Sequence, residues 1–187
     1  MNYMNKLICF IVFIFCFLFS NSSYADLTNV KCHKQWCSGI LRGADGSKKS
    51  LRMYTASTVY YPEPILFVLD FTTKADGFIP VLFISRANHT HLPLEKNASI
   101  FIETRIDTKP VYSSAGTIDD TFDTRYIYLG QLNDSSRFIQ ESLKGSHVRL
   151  KLHFADPAYI NFSLQGFTAA YKRIMSLAEA PDSAYFN

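Results

Sequence analysis

No apolar run in this sequence is long enough to cross a bilayer as a helix. The run from Leu7 to Phe19 is about 13 residues, and at roughly 1.5 Å per residue it falls short of the about 20 residues that a hydrocarbon core requires. Basic clusters are missing too. Lys and Arg number 19 against 16 Asp and Glu, and no Lys/Arg run extends beyond Lys48-Lys49, so there is no electrostatic case for nucleic acid. No Gly-x-Ser-x-Gly occurs and no glycine-rich phosphate loop, which removes the hydrolase elbow and the nucleotide cradle. With no internal repeat and no low-complexity linker, the chain reads as one domain's length.

What is present begins with an export signal. Lys6 is the single cation ahead of the apolar run, and the polar stretch after it ends Ser23-Tyr24-Ala25. These are the three parts of a cleavable signal peptide, with small residues where the peptidase reads them. The expected organisation is a signal over 1–25, one domain over 26–181 and a loose tail over 182–187, leaving no stable membrane span after cleavage. Cys16 precedes Phe-Leu-Phe inside the apolar run, which does not suit lipid attachment. With Lys6 gone, 18 basic side chains face 16 acidic ones. About 160 residues bury enough surface to be stable without a disulfide framework.

Of four cysteines, Cys9 and Cys16 leave with the signal, so Cys32 and Cys37 remain in Cys-His-Lys-Gln-Trp-Cys. In an oxidising compartment such a pair reads as a disulfide that ties the N-terminal segment into a turn. A redox-active dithiol normally has a shorter spacer at a helix start. Zinc would need a fourth ligand beyond Cys32, His33 and Cys37.

Alternating apolar and polar residues dominate from 37 to 164. Strands are expected over 36–41, 50–57, 65–73, 78–85, 99–106, 125–129, 147–154 and 160–164. About eight short antiparallel strands in one domain predict a mostly β fold, an antiparallel β-sandwich. In 147–154, Val148, Leu150, Leu152 and Phe154 share one face, while His147, Arg149, Lys151 and His153 share the other. Residues 65–69 are apolar on both faces, as in a central strand or an interface. A short helix over 136–143 can be capped by Asp134 or Ser135. A second follows Gly166, with Phe167, Ala170, Tyr171, Ile174 and Leu177 on the face that packs on the sandwich.

The stretch Phe138-Ile-Gln-Glu-Ser-Leu-Lys-Gly145, the alternating strand after it, and Ile160-Asn-Phe-Ser-Leu-Gln-Gly-Phe-Thr-Ala-Ala-Tyr171 resemble the C-terminal half of the invasion-associated locus B family. The family's Leu-x-Gly-Phe-x-x-Ala is matched by Leu164, Gly166, Phe167 and Ala170. The resemblance implies an exported bacterial β-sandwich of the periplasm or cell surface, with no catalytic residues to carry over.

Candidate chemistry is sparse. His89 and His91 form His-Thr-His, which could share a metal on a strand but lies in a turn-like stretch ending at Pro93. Asp119, Asp120 and Asp123 follow Ser113-Ser114-Ala115-Gly116 and read as an acidic hairpin tip, with a calcium loop as the sharper reading. Asn88, Asn97, Asn133 and Asn161 occupy Asn-x-Ser/Thr, the glycan acceptor pattern. The basic face of His147, Arg149, Lys151 and His153 is either a solvated stripe or a contact for an anionic partner. Tyr54, Tyr60, Tyr61, Tyr112, Tyr126 and Tyr128 add rings suited to a binding face or to ordinary strand cover. Tyr60-Tyr61-Pro62-Glu63-Pro64 is a stiff candidate contact loop. The pattern therefore predicts a non-enzymatic protein-interaction module binding another envelope or host protein, with no cofactor or metal. The alternative is a periplasmic enzyme or enzyme inhibitor whose site assembles only in the fold.

Overall fold

The structure, a computed structural model, describes residues 26–58, 64–85, 92, 95, 97–121, 124–129 and 134–180, with backbone alone at 85, 120, 121 and 124–126. The strands are β1 (Asp26–His33), β2 (Trp36–Arg42), β3 (Lys48–Ala56), β4 (Leu66–Phe71), β5 (Phe78–Ser85), β6 (Ser99–Ile106), β7 (Tyr112–Thr121), β8 (Thr124–Leu129), β9 (His147–Leu152) and β10 (Ala158–Ser163). They form a single 10-stranded sheet in the order β1-β2-β3-β4-β5-β8-β7-β6-β9-β10, and every pairing is antiparallel. The fold is mostly β, as expected, with two strands more than the pattern revealed.

The sheet rolls back on itself. An antiparallel bridge joins Ser57, just past β3, to Phe162 of β10, and the Phe67 and Phe162 rings of β4 and β10 lie 5.2 Å apart. Two halves of one sheet therefore enclose a common core, which is the sandwich arrangement built without a second sheet. Trp36, Phe67, Phe138, Phe162 and Phe167 are its largest fully buried side chains.

Two helices close the interior. Helix α1 (Ser135–Ser142) starts where Asp134 accepts the Arg137 amide at 2.8 Å, a side-chain cap for an otherwise orphaned donor. It buries Phe138, whose ring meets Phe67 at 6.4 Å and Tyr112 at 5.9 Å. Helix α2 (Phe167–Glu179) buries Phe167, Ala170, Ile174 and Leu177, the three- and four-residue spacing of one helix face. Among the described residues no helix is long and apolar enough to cross a membrane.

Cys32 and Cys37 face each other across the β1–β2 hairpin and are bonded, with S–S 2.01 Å. The tip of this hairpin sits on the start of α2. Gln35 donates its amide to the Gln165 carbonyl at 3.2 Å, Trp36 Nε1 donates to the Ser163 carbonyl at 2.7 Å, and Trp36 meets Phe167 edge-on at 4.9 Å. Gly166 has φ +95, and a Cβ there would run into the His33 carbonyl. Glycine is required twice over, by backbone conformation and by close approach.

β1 and β7 were not anticipated. In β7 the inward positions are Tyr112, Ser114, Gly116 and Ile118, too small in the middle to show an apolar alternation. A Cβ on Gly116 would lie 2.6 Å from Ile102 Cδ1 and 2.9 Å from Ile127 Cγ2, so the core forbids the side chain that would have marked the strand. Asp119 and Asp120 lie in the last rungs of the β7–β8 hairpin, opposite Tyr126 and Arg125 and next to the closing pair Thr121 and Thr124, so the acids cluster at the end of a hairpin. Ser113 to Gly116 form strand and not a calcium loop. Asp123 lies outside the described residues.

Candidate functional site

Strand alternation and strand order together build a charged strip on the outer face of β6, β9 and β10. Val148, Leu150 and Leu152 enter the core, so Arg149 and Lys151 must point out, flanked by His147 and His153. The same alternation turns Phe101, Glu103 and Arg105 of β6 outward, and Tyr159 and Asn161 of β10. Register then sets the rows. Arg105 lies opposite Arg149, which lies opposite Asn161; Glu103 lies opposite Lys151, which lies opposite Tyr159. His153 follows at the strand end, its ring 5.0 Å from Phe101.

Two of the nearby acids, Asp107 and Glu103, face other groups. Asp107 accepts the amides of Ser146 and His147 at 2.9 and 3.0 Å, with His147 Nδ1 4.0 Å away. Glu103 Oε1 lies 3.1 Å from His153 Nε2, close enough for an ion pair when the imidazole is protonated, although the angle is not that of a hydrogen bond. Arg105 Nε donates to the Lys109 carbonyl at 3.0 Å. Arg149 and Lys151 make no ion pair or hydrogen bond with any described residue. Two exposed rings flank the charges, Phe101 at 47% and Tyr159 at 60% exposure.

The other anticipated residues are dispersed. Tyr54 and Tyr112 are buried, and Tyr128 stands exposed on β8. Tyr60, Tyr61, Pro62, His89 and His91 lie outside the described residues, as do Asn88 and Asn133; only Pro64 of the proline loop is described. The Tyr126 side chain is likewise outside them. Asn161 lies half-buried inside β10 opposite Arg149. Among the described residues, no three His, Cys, Asp or Glu side chains converge as a metal site would require.

Two further polar places lie elsewhere. Tyr112 donates to Glu141 Oε2 at 2.7 Å, Arg137 Nε donates to Glu141 Oε1 at 3.0 Å, and the guanidinium sits 4.4 Å over the Tyr112 ring. Burial first, then the bond to Glu141, drives the Tyr112 phenol well above its ordinary range. Burial would raise the Glu141 carboxyl, but the hydrogen bonds from Tyr112 and Arg137 outweigh it and lower the value. This group braces α1 against β7. An open cleft of about 830 Å³ runs beside α1, lined by Ser50, Asp70, Thr72, Asp76, Phe78 and Asp134. Asp70 is held by Arg52, Asp134 caps α1, and Asp76 is bonded to Thr72, so each acid has a structural partner.

The sequence pointed to His147, Arg149, Lys151 and His153 but missed Phe101, Glu103, Arg105 and Tyr159 beside them. Alternation alone turns each of these outward; only the order β6-β9-β10, set by long-range pairing, makes them neighbours. No protein-family model, curated protein or solved structure matches this chain.

Proposed function

We propose that this chain is an exported, non-enzymatic interaction module of a bacterial envelope or cell surface, which binds another protein through the outer face of β6, β9 and β10. The carrying observation is that Arg149 and Lys151 lie on a strand face with no internal partner among the described residues, with the exposed ring of Tyr159 beside Lys151 and that of Phe101 beside His153 at the end of the strand. Aromatic and cationic side chains so placed are the usual anchors of a protein contact. The Cys32–Cys37 disulfide supports an oxidising compartment. The resemblance of residues 138–145 and 160–171 to the invasion-associated locus B family points the same way.

A site for catalysis would bring a histidine and a carboxylate together in a concavity. Here the described cleft is lined without histidine, while the His153 and Glu103 pair sits on the outer sheet face, which supports binding over chemistry. The test is in-cell crosslinking of the tagged protein, comparing the native chain with Arg149→Glu/Lys151→Glu. A reproducible partner that the charge reversal removes, with circular dichroism unchanged, is the expected result. A partner that survives the reversal would sink the assignment of this face.

A further inference from the structure

We infer that Arg173 of α2 guards the open edge of the sheet: by clamping a bulge in β1, it keeps that strand from pairing with β1 of a second copy of the chain. The inference is independent of the reading given to the β6, β9 and β10 face. β1 and β10 end the strand order. The β10 end is stitched shut, because Phe162 bridges to Ser57 and the Asn161 carbonyl accepts the Thr58 amide at 2.8 Å. β1 is different. It runs for 8 residues, most of them exposed, with Val30 at 43% exposure, and among the described residues no strand pairs with its far side. A long open edge of this kind is a template for another strand.

The edge is deformed at one place. Thr28 pairs with Ile40 and Lys31 with Ser38, so Asn29 and Val30 stand opposite the single Gly39, which is a bulge. Asn29 adopts φ +50, a left-handed turn that interrupts the regular sequence of donors and acceptors along the strand. Arg173 then grips both strands of the hairpin. One guanidinium nitrogen donates to the Ser38 carbonyl at 2.8 Å and to Ser38 Oγ at 3.1 Å; the other donates to Asn29 Oδ1 at 2.8 Å and to the Asn29 carbonyl. Ser38 is fully buried, so the bonds made there are weakened little by water, and the flat fork of a guanidinium is shaped to span two acceptor residues at once. The Cys32–Cys37 disulfide fixes the strand just beyond Lys31, so clamp and disulfide hold β1 on either side of Val30. Without the clamp the Asn29 carbonyl loses that donor, and the bulge can flatten into a regular edge. A second copy is the occupant because every copy carries the same edge, and two such edges can pair antiparallel about a twofold axis through backbone bonds alone.

The test compares protein expressed from the full sequence with its Arg173→Gln variant, by sedimentation velocity over a range of concentrations and by hydrogen exchange of the 26–33 amides. Arg173→Gln should self-associate about tenfold more tightly than the native chain, and protection of 26–33 should rise with concentration in the variant alone. Asp70→Asn, weakened at a pair on other strands, controls for lost stability and should show neither effect. The inference is overturned if folded Arg173→Gln gains no association, or gains it without protection of 26–33. It is overturned equally if Asp70→Asn associates as strongly, or if 26–33 of the native chain is itself protected in a concentration-dependent way. Should Arg173→Gln not fold, Asn29→Ala decides instead, since it removes Oδ1 and makes the left-handed turn costly without touching α2. It should give the same concentration-dependent protection of 26–33, and its failure to do so sinks the guard.

Discussion

The sheet presents two outer faces that obey the same alternation and end in opposite states. On β2 to β5 the outward residues Cys37, Tyr54, Val68 and Val81 are nonetheless buried, at 2–6% exposure, with Leu27, Leu66 and Phe83 packed against them. The charged pair Arg52 and Asp70 on this face is closed bidentately at 2.6 and 2.7 Å, and the guanidinium lies 5.3 Å over the Phe83 ring. On β6, β9 and β10 the outward residues are charged, aromatic or polar, and Arg149 and Lys151 have no ion pair or hydrogen bond with any described residue. Burial and complete pairing mark a face whose purpose is stability. Exposure and incomplete pairing leave the other face accessible, which is what the proposed contact requires.

Four substitutions would break or sharpen that contrast, beginning with the largest effect. Val68→Asp places an unpaired charge in the covered face and should cost about 3 kcal/mol or more, seen as a collapse of the denaturation midpoint. Replacing Cys37, which belongs to the same face, together with Cys32 by serine should cost about 2 kcal/mol, because a short closed loop restrains the unfolded chain only modestly. The readout is chemical denaturation with and without reductant, in which the native protein should approach the double variant. Asp70→Asn leaves Arg52 with a weakened partner at about one-fifth exposure, and a loss of about 1–2 kcal/mol is expected. Arg149→Gln/Lys151→Gln should leave stability within about 0.5 kcal/mol, or raise it slightly by relieving the repulsion from Arg105. A large loss from that last variant would mean that the strip is structural, and the contrast between the faces would dissolve.

What could be read in advance follows the physics of each element. The 147–154 segment was legible because its core face is wholly apolar and its outer face wholly basic. Residues 65–69 read correctly as apolar on both sides: Phe67 and Leu69 enter the core while Val68 joins the covered outer face. The capped helix and the Gly166-Phe167 helix start rest on local chemistry, and both formed within a residue of expectation. β7 was illegible because its signal is an absence, the side chain that Gly116 cannot carry. β1, with exposed or half-buried residues throughout and a register irregularity between Thr28 and Lys31, is a strand by pairing alone. The strip was half legible for the same reason, since Arg149 and Lys151 share one strand while Arg105 and the other members come from two more.

The seat of the first hairpin on helix α2 sets an order of events for folding. Trp36 donates to Ser163 across 127 positions of chain, whereas the cysteines are separated by 5. Contacts that close long loops form late and those that close short ones form early. A chain that emerges N-terminus first can therefore bring its two cysteines together as soon as the hairpin is free. The core that this hairpin caps stays incomplete until Phe167 has followed it out. The hairpin is thereby ready well before the core it caps, because the contact that seats it belongs to a stretch that arrives late.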